Sequence, residues 1–185
     1  MGARSETPLC VDPGEGPGRA AIEAERVELE ASMAEPNGLI TCAVRDYWQS
    51  CRKRSGLPAR ADIDPVDIPR LLAHVLLVDV RHDPIDFRYR LLGTEIVGRS
   101  ARDYTGVRLA ELPEQRCPSR IWTLYSAVAT DRSPGAVQVP YLPLPGQSVE
   151  IFAAPLSSDG RRIDMLFGAV EFPPEARSFA REGPF

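Results

Sequence analysis

Two histidines, His74 and His82, four cysteines and the aspartates at 62, 64 and 67 are the residues from which this 185-residue chain could build chemistry. A hydrolase needs a nucleophile, a base and a group that orients the base. Ser100 lies in GRSAR, which lacks the second glycine of a nucleophile elbow. Asp62 and Asp64 have the D-x-D spacing that opens calcium loops, but the glycine and terminal glutamate of such a loop are missing. The same residues predict structure instead: Asp64 caps a short helix with Pro65 at its first position. Cys10, Cys42, Cys51 and Cys117 show no CxxC or other metal-type spacing and read as packing residues in a reduced, cytoplasmic setting. No catalytic constellation and no metal site is expected, so the chain is read as a non-enzyme.

Composition narrows the class further. A 43% hydrophobic and 26% charged chain is ordinary for a soluble globular protein. No apolar run approaches the roughly 18 residues of a membrane span, and the opening MGARSETPLCVDPGEGPG has no secretory apolar stretch. The net charge is -4, and residues 21–35 alone hold five glutamates and one arginine. Arg52, Lys53 and Arg54 suit the negative end of a preceding helix better than they suit nucleic acid, so neither a nucleic-acid nor a membrane partner is expected.

The elements follow from periodicity. Residues 1–20 read as a disordered tail, being rich in glycine and proline and poor in apolar side chains. Residues 21–56 read as an N-terminal helical extension: AIEAERVELEASMAE has a thin apolar stripe, whereas Leu39 to Ser55 places Ile40, Val44, Tyr47 and Cys51 along one side with Trp48 beside them. That stripe, lying ahead of the main domain, predicts a homodimer through residues 39–55. The domain itself is assigned to 57–174, with 175–185 as a C-terminal tail. Within it, alternation over 73–83 and again through Phe87, Tyr89 and Leu91 predicts two strands. Helical turns broken at Gly93, Gly98 and Gly106 come next, then a longer helix from Cys117 to Thr130. AVQVPYLPL, SVEIFAAPL and IDMLFGAVEF close the domain as an antiparallel meander, with Pro140 and Pro143 placing its first strand at an edge or bulge. The predicted fold class is therefore α+β: a five-stranded antiparallel sheet with short helices and one longer helix on one face, preceded by N-terminal helices.

Gly98, Ser100, Asp103, Tyr104, Gly106, Leu109, Glu111 and Leu112 carry, without a gap, the signature by which the chain resembles the PAS superfamily. Tyr47-Trp48, DIDPVDIPRLL, FRYRLLGT and RDYTG resemble its bacterial branch of stand-alone single domains, and the likeness runs over roughly residues 44 to 172. In this reading Ser100 caps a short helix that Gly106 ends. The resemblance implies a sensor that holds a small molecule between sheet and helices, or an adaptor that only dimerises, with output through a separate protein. The implied pocket is lined by Tyr89, Leu91, Ile121, Trp122, Tyr125, Val139, Tyr141 and Phe167. Ala101 stands where photosensory flavin domains place a reactive cysteine, and 117–130 lacks the histidine that haem-binding relatives use. His74 and His82 read as structural or surface residues, and the cofactor stays open.

Overall fold

A computed structural model describes residues 34–52 and 56–174. The expected tails at 1–20 and 175–185, residues 21–33 of the expected helix over 21–35, and residues 53–55 lie outside the described residues, while Ala34 and Glu35 are not helical. Helix α1 spans Leu39–Ser50. Three single 3-10 turns lead from it to strand β1, Val75–Arg81, and then β2, Asp86–Leu92. Helix α2, Thr94–Arg99, and one more 3-10 turn, Leu109–Glu111, precede helix α3, Arg120–Asp131. Strands β3, Gly135–Pro140, β4, Ser148–Leu156, and β5, Met165–Glu171, complete the sheet.

The five strands pair antiparallel in the order β2-β1-β5-β4-β3. Pro140 ends an edge strand, as its missing N–H requires. That edge is partly closed by Ala34, which exchanges two 3.0 Å backbone hydrogen bonds with Ala136. The β2 edge is covered by the loop before α3: the Tyr89 N–H donates to Val107 O at 3.1 Å, and the Gly106 N–H donates to Tyr89 O at 2.6 Å.

Alternation along the central strands builds two cores. Leu76, Val78, Ile151, Leu166 and Val170 point to the α3 side, into an inner layer with Leu109, Leu112, Leu124 and Val128. Val75, Leu77, Phe152, Ala154, Phe167 and Ala169 point to the other side and meet Val44 and Trp48 of α1. The sheet is thus covered on both faces. The stripe that motivated the expected dimer through residues 39–55 packs against this chain's own sheet: Val44 and Trp48 are buried, Ile40, Tyr47 and Cys51 partly so, and the Trp48 indole N–H donates to Pro155 O at 3.1 Å. Tyr47 fastens the same helix to the turns that follow: its hydroxyl accepts from Asp64 N–H at 2.8 Å, and its ring packs edge-on to Phe167.

Two glutamates hold the start of α1. Glu150 and Glu171 are direct cross-strand partners on β4 and β5. Glu150 accepts from the N–H groups of Asn37 and Gly38 at 2.9 to 3.2 Å and from the Thr41 hydroxyl. Glu171 accepts from Ile40 N–H at 2.7 Å and Thr41 N–H at 3.3 Å. Like charges face to face destabilise a sheet by themselves; here the exposed N–H groups and positive end of the helix dipole offset the repulsion. A Cβ at Gly38 would crowd the carboxylates of Glu171 and Glu150, so a larger residue there would push aside the ends of these two side chains.

Local expectations fared unevenly. Asp64 does cap the turn begun by Pro65, accepting from Val66 N–H at 2.9 Å. α1 ends at Ser50, five residues before the expected Ser55. No helix forms over 100–106: Ser100 instead follows α2 and donates to Ile96 O at 2.8 Å, while Asp103 turns the chain by accepting from Thr105 N–H at 2.8 Å. Cys42 and Cys51 are free thiols, but Cys117 is disulfide-bonded, so the expectation of four reduced packing thiols fails there. No described helix is long and apolar enough to cross a membrane.

Candidate functional site

The inner layer between sheet and α3 is where the chain gathers most of its aromatic side chains. α3 begins at Ser119, whose hydroxyl accepts from Trp122 N–H at 3.0 Å, and ends at Arg132, held in the left-handed region at φ 57°. Ile121, Leu124, Tyr125 and Val128 recur with helical spacing, and that is the face laid on the sheet. From β2, Phe87 and Tyr89 point at it. Phe87 meets Trp122 edge-to-face at 5.2 Å and Tyr125 at 5.6 Å between ring centroids.

The polar groups of this layer are few. The Tyr89 hydroxyl donates to Gln115 Oε1 at 2.7 Å. The Tyr125 hydroxyl, on a side chain 0% exposed, has the Tyr89 hydroxyl as its polar neighbour and makes no hydrogen bond of ordinary geometry among the described residues. Both phenols are pushed well above the ordinary tyrosine value, first by burial and, for Tyr125, also by its neighbour Tyr89. The Ser126 hydroxyl is a second buried group without a hydrogen-bond partner among the described residues. At the margin, Arg99 donates twice to Glu95 Oε2, at 2.9 and 2.7 Å, and places its guanidinium 4.9 Å from the centre of the Phe172 ring, while its Nη1 has no hydrogen-bond partner among the described residues.

Of the residues expected to line a pocket, Tyr89, Ile121, Trp122 and Tyr125 come together here. Val139 and Tyr141 pack partly buried at the rim, Tyr141 edge-on to Phe172 at 5.6 Å. Leu91 and Phe167 do not belong to the site. A β-bulge between Leu77 and Val78 pairs Val78 with Tyr89 and Leu77 with Leu91, leaving Arg90 as the extra residue. Leu91 is thereby turned to the outer face, where it is 42% exposed, and Leu92 takes the inner position. Phe167 faces α1 because the parity of β5 puts Leu166 and Val170 inward. Phe87 was missed, although it alternates with Tyr89. Gln115, Arg99 and Phe172 were missed too, and only the folding of three separate segments reveals them.

The comparisons with known proteins bear on this geometry. A family model described as PAS domain matches residues 39–171. This chain belongs to the PAS domain family. The match begins at the first residue of α1, so the helix on the outer face lies within the span of the PAS match. No protein with a curated description matches at a significant level. Among solved structures, an IclR family transcriptional regulator from Brucella abortus aligns at 13% identity and a TM-score of 0.27, over 88% of this chain and 60% of that one. As a PAS domain, the chain is a sensory or regulatory module in the general sense of that family.

Proposed function

We propose that this PAS domain is a non-enzymatic, cytoplasmic sensor that takes up a small molecule between the sheet and α3, at Tyr89, Ile121, Trp122 and Tyr125, and signals through a separate output protein. The observation that carries the reading is the Tyr125 hydroxyl. It is buried with only the Tyr89 hydroxyl beside it and no hydrogen bond of ordinary geometry, and it sits among aromatic side chains that suit a small organic body. Native mass spectrometry of gently purified full chain is the test. A recurrent bound mass, lost in Tyr125→Phe, is the expected result. A bare chain, with no thermal shift across a metabolite panel, would sink it.

One observation favours a second reading, a ligand-free adaptor. Phe87, Leu109, Leu124 and Tyr125 are all fully buried, as in a core that is already filled. The adaptor then acts through its surface. With the stripe of α1 consumed internally, a homodimer through residues 39–55 would have to use the outward side of that helix, beginning at Leu39, which is 81% exposed.

A further inference from the structure

We infer that Cys117 is bonded to Cys10 and that this disulfide is a reversible strap, tying the N-terminal segment to the loop ahead of α3 when thiols are oxidised and freeing it when they are reduced. The pairing follows by elimination. The chain has four cysteines; Cys117 is disulfide-bonded while Cys42 and Cys51 are free, so within one chain the partner left is Cys10, which lies outside the described residues. Composition agrees. Apart from Met1, the large apolar side chains among residues 1–20 are Leu9 and Val11, and they flank Cys10. Such a pair suits a segment that packs where it is attached better than one left in water.

The place of attachment bears on α3. Cys117 sits between Gln115, which accepts from the Tyr89 hydroxyl at 2.7 Å, and Ser119, whose hydroxyl caps α3 and donates to Gln115 O at 2.7 Å. These bonds hold the chain on either side of the sulfur, so making or breaking the strap acts on the start of the helix. Cys117 is half-buried, which leaves its sulfur open to exchange. The reversibility rests on the cytoplasmic reading above, because in a compartment kept reduced by small thiols a disulfide is transient and reports oxidation; the pairing stands without that reading. On oxidation the S–S bond of a small disulfide breaks, the Cys10–Cys117 bond forms, and the two protein protons leave on two small thiols. Excess small thiol runs the same step backwards.

Cleavage after arginine and lysine puts each cysteine on a separate peptide, 5–19, 27–45, 46–52 and 117–120. The full native chain is equilibrated with excess oxidised glutathione, alkylated in urea and digested without reduction. Mass spectrometry is expected to find 5–19 joined to 117–120 in protein of monomer mass, with Cys42 and Cys51 alkylated. Returning the native chain to excess reduced glutathione should lower the joined species about tenfold or more and raise hydrogen exchange over residues 115–124 about threefold. In Cys10→Ser, exchange there stays at the higher rate in both buffers. Peptide 117–120 joined to 27–45 or 46–52, linked across a covalent dimer, or found alkylated or capped by glutathione after oxidation overturns the pairing. A bond between 5–19 and 117–120 that the native chain keeps in excess reduced glutathione, yielding only in urea, overturns the switch and leaves a fixed staple. Equal exchange over 115–124 in the two buffers overturns the action on α3.

Discussion

At the scale of single residues, the two neighbouring phenols should behave oppositely when their oxygens are removed. An unsatisfied buried hydroxyl costs about 1–3 kcal/mol, so Tyr125→Phe is expected to leave the ligand-free protein as stable as the wild type or more so. Tyr89→Phe strands Gln115 and should destabilise by about 1 kcal/mol; urea unfolding reads both. Because burial holds both phenols protonated in the folded state, their contribution is complete below the unfolded tyrosine value of about 10 and is lost as the pH rises beyond it. The double variant should therefore resist alkali better than the wild type. Glycines divide just as clearly. A Cβ on Gly168 would lie 2.0 Å from the backbone oxygen of Phe152, whereas one on Gly98 meets nothing within 4 Å. Gly168→Ala should cost about 1–3 kcal/mol or more, as overpacking does. Gly98→Ala, in a helix, should gain up to about 1 kcal/mol, although Gly98 is part of the signature by which the family was recognised. Tyr125 and Ile121 were readable because a helix displays its buried side every three or four residues. Phe167 was not, since in a strand buried on both sides alternation separates two faces without saying which is which.

At the scale of elements, α1 shows how far periodicity reaches. Its apolar stripe was correct, but a stripe does not name its partner, and here the partner is the outer face of β4 and β5. Glu150 and Glu171 gave no signal at all, being two acidic residues more than a hundred positions from the helix they hold. The bulge in β1–β2 was equally silent, and it alone decides that Leu91 faces outward. The glutamate contacts make a prediction about local stability. Glu171→Ala removes the acceptor of Ile40 and Thr41, and hydrogen bonds to charged groups contribute about 1.5–3 kcal/mol. Hydrogen exchange in residues 39–50 should then accelerate at least tenfold, while amides of β1 and β5 slow or quicken far less. Equal acceleration throughout would show instead that α1 opens only with the whole domain.

For the whole molecule, the sheet order and both of its covered faces leave the dimer as a question about what remains exposed. Light scattering of the full chain, beside Leu39→Glu, answers it. If the outward side of α1 joins two copies, the wild type shows twice the monomer mass and the variant one; identical masses for the two remove that interface. The overall architecture was readable in the sequence because the five strands and α3 each announce themselves locally. What brings distant segments together was not, and the clearest case lies at the start of α1. Ile40 and Glu171 are 131 residues apart. At synthesis rates of about 5–20 residues per second, roughly 7 to 26 seconds pass between the appearance of the helix and that of its last anchor. Through that interval Val44 and Trp48 lack the strands that cover them, so α1 is made well before it can dock.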